Sequence, residues 1–232
     1  MSERADEIAA GLADVRRRIE VASEAAEHDE PAVLVVVTKY FPPGDVRILA
    51  DLGVTDVGEN RHQEAQQKAH QCADLGLRWH FIGGLQSNKA AAVAGYADVV
   101  ESVDRVKLVA GLQRGAHDRG GGVDVLLQVS LDAPGSDRRA GADPGDLESL
   151  AMRVGECAAL RLRGIMAVAP LGEDPDTAFS RLGEIRAALL AQHPGATQLS
   201  AGMSGDLEAA IRHGATHVRV GSAVLGPRPP VL

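Results

Sequence analysis

Short apolar runs alternate along the chain with segments whose apolar residues recur every three or four positions. The runs fall at 33–37, 54–57, 79–82, 99–100, 125–129, 164–168, 198–199 and 217–220. Each is bounded by turn residues and most are rich in β-branched residues, so each reads as a strand. The first, Val33-Leu34-Val35-Val36-Val37, is apolar at every position, as in a parallel strand buried on both faces. The segments 45–52, 86–94, 104–117, 146–159, 175–192 and 206–212 read as helices, several opening on Asp or Pro, and Arg61, His62 and Gln63 enter another. Ahead of the first strand, Ile8, Leu12, Val15, Ile19 and Ala22 form one stripe of an amphipathic helix over about 3–27.

Eight strand–helix units in 232 residues predict a closed (β/α)8 TIM barrel, in the α/β class, rather than an open doubly wound sheet. No linker divides the chain, so residues 1–232 are expected to form a single domain. The loop-like stretch 132–145, rich in Gly, Pro, Asp and Arg, is a candidate lid or flap. Gly120-Gly121-Gly122 reads as a plain helix-to-strand connection.

Composition narrows the function. A net charge of −8 and a pI near 5.5 argue against nucleic-acid binding. No apolar stretch approaches the ~20 residues of a membrane span, and the charged N-terminus lacks a secretory signal. Cys72 and Cys157 lack metal-type spacing and fit packing thiols in a reduced, cytoplasmic setting. No His-Glu-x-x-His or paired-cysteine pattern points to a metal.

The chemistry begins at Lys39. Of four lysines (Lys39, Lys68, Lys89 and Lys107), it alone follows a strand, at the carboxyl end where parallel barrels place their chemistry. A partly desolvated lysine there is a candidate Schiff-base former; the alternative is a lysine snorkelling from a strand end. Late in the chain, Leu199-Ser200-Ala201-Gly202-Met203-Ser204-Gly205-Asp206-Leu207 passes from a strand through small residues into a helix, and Val220-Gly221-Ser222-Ala223 follows the last strand. Barrels often bind phosphate between these two loops, where backbone amides and hydroxyls can approach an anion. A lysine on strand one with two such turns makes a phosphorylated carbonyl compound the economical ligand. Asp206 is expected to cap its helix. Arg219 shares a strand face with Gly221 and either reaches the ligand or pairs with a carboxylate. Asn60, closing Val57-Gly58-Glu59-Asn60, could orient a ligand hydroxyl, and Ser87 or Asn88 could cap the following helix. His80 is equally a core or a functional histidine.

Together these segments resemble the YggS/PROSC family of pyridoxal-phosphate-binding proteins, also called PLP homeostasis proteins. The matching pieces are Val35-Val36-Val37-Thr38-Lys39, Gly58-Glu59-Asn60-Arg61-His62-Gln63-Glu64, Trp79-His80-Phe81-Ile82-Gly83-Gly84-Leu85-Gln86-Ser87-Asn88-Lys89, Gly164-Ile165-Met166-Ala167, the 199–206 turn and Val218-Arg219-Val220-Gly221-Ser222. They follow in order from Lys39 to Gly226. The resemblance implies a barrel like the N-terminal domain of bacterial alanine racemase, a fold type III PLP protein, with pyridoxal 5'-phosphate covalently bound to Lys39 as a Schiff base. By the same resemblance Ser204, Gly205, Gly221 and Ser222 hold the phosphate, Arg219 faces the pyridine nitrogen, Asn60 lies near the ring, and Ser200 and Met203 complete the binding set. Gly84 stands where proline is usual, and Tyr40-Phe41 where many relatives are more polar.

An arginine opposite the pyridine nitrogen disfavours the pyridinium that draws electrons from a substrate. The resembling racemases add a second base from a C-terminal domain and a dimer partner, and this chain ends at Leu232, just past the last strand. The expected function is therefore vitamin B6 homeostasis: holding, storing or delivering PLP with little or no catalysis, with PLP-dependent apoenzymes as candidate recipients and a monomer as the expected state. The alternatives are a PLP-dependent amino-acid racemase, a regulator whose PLP occupancy governs a partner, and a lysine-dependent aldolase. The last is disfavoured because the sixth strand carries no lysine.

Overall fold

The computed structural model describes residues 2–132 and 140–227. Half of the stretch proposed as a lid, residues 133–139, therefore lies outside the described residues. The described chain opens on α1 (Glu3–Ala25), then alternates β1 (Val33–Val37), α2 (Pro43–Asp51), β2 (Asp56–Glu59), α3 (His62–Gln71), β3 (Arg78–Phe81), α4 (Ala90–Ala94), β4 (Val99–Val103) and α5 (Val109–Asp118). It continues through β5 (Val123–Gln128), α6 (Leu147–Gly155), β6 (Leu160–Met166), α7 (Pro175–Gln192), β7 (Gln198–Ser200), α8 (Leu207–Arg212), β8 (His217–Val220) and the short α9 (Ser222–Leu225). The strands pair in parallel in chain order, and β1 pairs with β8 to close the barrel.

Strand boundaries depart from the expected ones where charged residues interrupt the apolar pattern. The second strand starts at Asp56, because Val54 packs into the outer shell while pairing with β1 begins at Asp56. β4 runs on through buried Glu101 and Ser102, and β6 begins four residues early through Arg161 and Arg163. The helices expected at 86–94 and 104–117 each start with a 3-10 turn, Ser87–Lys89 and Val106–Leu108. Neither Ser87 nor Asn88 caps α4, which has no side-chain cap. Past the loop, Ala142 bridges back to Val129, its amide donating to the Gln128 carbonyl at 2.7 Å.

Two apolar clusters fill the space between strands and helices. One joins β3–β7 to α4–α7; the other joins α1, α2, β1, β2 and β8. Within the latter Ile8, Leu12, Val15 and Ile19 seat α1 against the barrel, as their spacing predicts. A third, separate cluster holds Val99, Leu126 and Met166; by strand alternation Val99 shares a face with buried Glu101, and Leu126 with buried Asp124 and Gln128. Among the described residues no helix is long and apolar enough to cross a membrane.

Candidate functional site

At the carboxyl end of the barrel a cavity of about 250 Å³ opens between β1 and the turns that follow β7 and β8. Its volume suits a small ligand, just below the ~300 Å³ where drug-sized pockets begin. Lys39, Met203, Ser204, Gly205, Arg219, Gly221 and Ser222 line it, with Val37, Phe41 and Ile82 as apolar walls.

Lys39 sits just beyond β1, and both peptide groups that flank it are pinned. The Thr38 carbonyl accepts from Lys68 Nζ at 2.7 Å, and the Tyr40 amide donates to Glu64 Oε1 at 2.6 Å. Lys68 also donates to Glu59 Oε1 (2.8 Å) and Glu64 Oε1 (2.6 Å), and the Thr38 hydroxyl donates to Glu59 Oε1 at 2.6 Å. Burial pushes the Glu59 carboxyl up, with Lys68 and Thr38 partly offsetting it. Tyr40 itself adopts φ 72°, a left-handed conformation that costs a tyrosine of order 1–3 kcal/mol. Such strain persists where the surroundings impose it, and here the Glu64 bond and the Arg61 guanidinium over the Tyr40 ring (5.0 Å) do so. The chain thus turns sharply at Lys39 and holds the lysine toward the cavity.

Across from it, the Ser204 and Ser222 hydroxyls meet at 3.4 Å, one from each turn. Between them and β1, Gly221 comes so close that a Cβ there would stand 3.0 Å from the Val37 carbonyl. The cradle depends on that missing side chain. Asp206 stands at the start of α8 but does not cap it; its carboxylate reaches back to accept from the Met203 amide at 2.6 Å, which fixes the turn. From α1, Arg18 grips the same turn, donating to the Ser204 carbonyl at 3.0 Å and to both Glu208 oxygens.

Arg219 forms the floor, 4% exposed. It donates to Ser200 Oγ at 2.7 Å and to the Ala167 carbonyl at 2.8 Å, and Glu101 lies 3.8 Å away. Burial presses its pKa down while Glu101 opposes that shift.

The alanine racemase N-terminal domain family model matches residues 11–229. The pyridoxal phosphate homeostasis protein of Mycobacterium tuberculosis is 42% identical over 97% of this chain and 95% of that protein. The chain belongs to the pyridoxal phosphate homeostasis protein family. Among solved structures, PipY of Synechococcus elongatus with PLP bound is similar over 94% of this chain and 100% of that one, at 35% identity and TM-score 0.81. Alanine racemase from Corynebacterium glutamicum, at 15% identity and TM-score 0.71 over 97% of this chain and 62% of that one, shares the fold alone.

The residues through which the sequence resembles this homeostasis family are not all on the cavity. Asn60 and Ser200 do not line it. Ser200 is fully buried and reaches the site only through Arg219. Asn60 closes β2 against Gly83, where a Cβ would fall 2.0 Å from the Asn60 carbonyl, so the glycine is what lets the two strand ends approach. The departures from the family pattern are accommodated. Gly84 is exposed, with room for a side chain, and Phe41 is buried as a cavity wall. His80, left open by the sequence, is 2% exposed and bonded on both ring nitrogens, to Asp56 and Glu101. Sequence reading missed Glu64 and Lys68, whose spacing of four along α3 was the available signal, and Glu101, which had none.

Proposed function

We propose that this chain binds pyridoxal 5'-phosphate through Lys39 Nζ and serves PLP homeostasis by holding and releasing the cofactor rather than by turning over amino acids. The observation that carries this reading is that one small cavity joins a lysine just past the first strand, a facing pair of hydroxyls on two glycine-containing turns, and a buried guanidinium. That donor set suits an aldehyde, a phosphate and a ring nitrogen acceptor in one molecule. PipY, which binds PLP, shares the fold and a third of the sequence.

PLP when bound supplies an electron sink for carbanion chemistry. The chain's own residues do the rest. Lys39 offers the amine, held in place by the Lys68–Glu59–Glu64 braces. Ser204 and Ser222 donate hydrogen bonds to phosphate oxygens, with Gly205 and Gly221 allowing close approach. Val37, Phe41 and Ile82 give the cavity apolar walls that would exclude water from a bound ring. Arg219 would offer a bound ring nitrogen a fixed positive charge that cannot accept a proton, which would weaken the electron sink. These features support storage and delivery, with PLP-dependent apoenzymes as recipients and the barrel acting as one binding unit.

The test is the visible absorbance of purified chain with added PLP beside Lys39→Ala, followed by borohydride reduction and intact mass. A yellow band absent from the variant, with one PLP fixed to Lys39, is expected. No band and no adduct would overturn the assignment. Racemisation of alanine or serine at ordinary enzymatic rates would overturn the non-catalytic half and favour a racemase.

A further inference from the structure

A hydrogen-bonded line crosses the barrel lumen beneath the cavity, and only its first member touches the site. Arg219 Nη1 meets Ser200 Oγ at 2.7 Å, and Ser200 Oγ meets Glu101 Oε2 at 2.6 Å. Glu101 Oε1 meets His80 Nδ1 at 2.7 Å, His80 Nε2 meets Asp56 Oδ1 at 2.9 Å, and Asp56 Oδ2 accepts from Thr55 Oγ1 at 2.7 Å. The four ionisable members are each 7% exposed or less.

The chemistry of the partners fixes every proton along this line. A guanidinium has only donors, so Ser200 accepts from Arg219 and must spend its own hydrogen on Glu101. Glu101 and Asp56, as carboxylates, have only acceptors, so both ring nitrogens of His80 must donate. The imidazole is then a cation, and the charges alternate from Arg219 to Asp56 as plus, minus, plus, minus. Other groups facing the line are His217 on β8, whose ring centroid is 6.4 Å from that of His80, and Arg78 on β3 near Asp56. Burial would push the Glu101 carboxyl up, yet His80, Arg219 and Ser200 bring it down to about 2, and His80 is raised by its two carboxylates against the effect of burial. His217 goes the other way, lowered by burial to about 4, and stays neutral.

Stability does not explain such a line. Barrel lumens are filled by apolar branched residues in most proteins of this architecture, and buried charge pairs are commonly matched or bettered by apolar replacements. What the line does control is Arg219. Ser200 and the Ala167 carbonyl aim its guanidinium, and Glu101 at 3.8 Å offsets its charge.

We propose that Glu101, clamped by His80 and Asp56, is a positioning residue that acts through Ser200 and Arg219 to set the electrostatic potential felt by the ring in the cavity. This rests on the reading of the cavity as a PLP site. With the carboxylate in place the floor is a balanced pair; without it, Arg219 presents an uncompensated positive charge that disfavours protonation of the chromophore at Lys39.

The experiment titrates the visible band of the PLP-loaded chain against pH in wild type, Glu101→Gln and Glu101→Asp. The urea midpoint of each is recorded without PLP, and ¹⁵N NMR of the histidine ring nitrogens is taken on the unloaded chains. The pH midpoint of the band is expected to fall by about one unit in Glu101→Gln and to move back toward wild type in Glu101→Asp, which keeps the charge. In the unloaded wild type one histidine should carry protons on both ring nitrogens above neutral pH and lose one in Glu101→Gln. Should Glu101→Gln prove too unstable to study, Asp56→Asn, two bonds further from Arg219, is expected to shift the midpoint in the same direction by less. If wild type traps PLP on Lys39 yet both variants share its midpoint, the positioning role is overturned while the site stands. If wild type traps no PLP, the site reading fails and this inference falls with it.

Discussion

The shell of this barrel and its lumen are packed by different rules. Between strands and helices the contacts are apolar almost throughout: Phe179, Leu112, Leu150 and Ile165 are all less than 3% exposed within one continuous cluster. Inside the ring of strands, Asp56, His80, Glu101, Asp124, His217 and Arg219 are buried together. At the barrel's amino end Asp124 alone is shared by Arg78, Arg161 and Arg163. Among the polar intrusions of the described shell, the most deeply buried ion pair is Lys68–Glu59, next to Lys39. Apolar packing tolerates exchange of shape for similar shape, whereas a buried charge tolerates only its partner. The polar groups are thus gathered where they can reach Lys39 and Arg219, or where they close the far end.

The largest effect expected from breaking this contrast lies at that ion pair. Lys68→Met keeps the length of the side chain but strands Glu59, which is 1% exposed. It should destabilise the chain by about 3–5 kcal/mol in urea unfolding. The pair Lys68→Met with Glu59→Met should recover most of that loss. In the shell, Leu112→Met should cost less than about 1.5 kcal/mol. Equal losses for the two single variants would erase the distinction. Because Lys68 holds the Thr38 carbonyl, the double variant should fold and yet retain PLP less well than wild type, which equilibrium dialysis would read.

A somewhat smaller effect is expected from pH. His217 is lowered by burial to about 4, so between its ordinary value of 6.5 and 4 the unfolded chain binds a proton that the folded chain refuses. Stability must then fall as pH drops through that window, by roughly 3 kcal/mol over its full width. Glu101, held near 2 against an ordinary 4.5, adds a further loss below that, as the unfolded carboxylate protonates first. His80, raised, works in the opposite sense: its contribution is present at acid pH and lost as pH climbs through its folded value. His217→Gln should remove the decline between pH 6.5 and pH 5 and leave the deeper acid limb unchanged. A decline that survives the substitution would place the titrating group elsewhere.

The shell and the lumen also differ in how far the sequence announces them. Helical stripes such as Ile8-Leu12-Val15-Ile19 and the run Val33–Val37 follow directly from periodicity, and the eight-unit barrel follows from their alternation. Strands interrupted by charge follow less well. Glu101 breaks the apolar signal of β4, which runs on past its expected end, and Arg161 and Arg163 break that of β6, which begins before its expected start, whereas β8 lies at its expected place although it carries His217 and Arg219. Of the site, Lys39 and the two glycine turns were legible because strand ends and small-residue turns have local signatures. The contacts that aim Arg219 were not, since Glu101 meets Ser200 across 99 positions and Arg219 meets Ala167 across 52. Periodicity is a local property, and a lumen is assembled from single residues on many strands.

The smallest expected effect separates the cavity from both packing regimes. Ser204 and Ser222 belong to neither, being rim hydroxyls 3.4 Å apart with no role in the core. Ser204→Ala or Ser222→Ala should leave the urea midpoint where it is. Each removes one hydrogen bond to a charged phosphate, worth about 1.5 kcal/mol at a solvent-open rim. That corresponds to roughly tenfold weaker retention of PLP in a dialysis experiment. The two hydroxyls share one anion, so the double variant should lose less than the product of the single effects. Full multiplicativity would mean that they contact separate oxygens without sensing each other. No loss from either would move the phosphate away from these turns altogether, while leaving the trapping of PLP on Lys39 to be judged on its own.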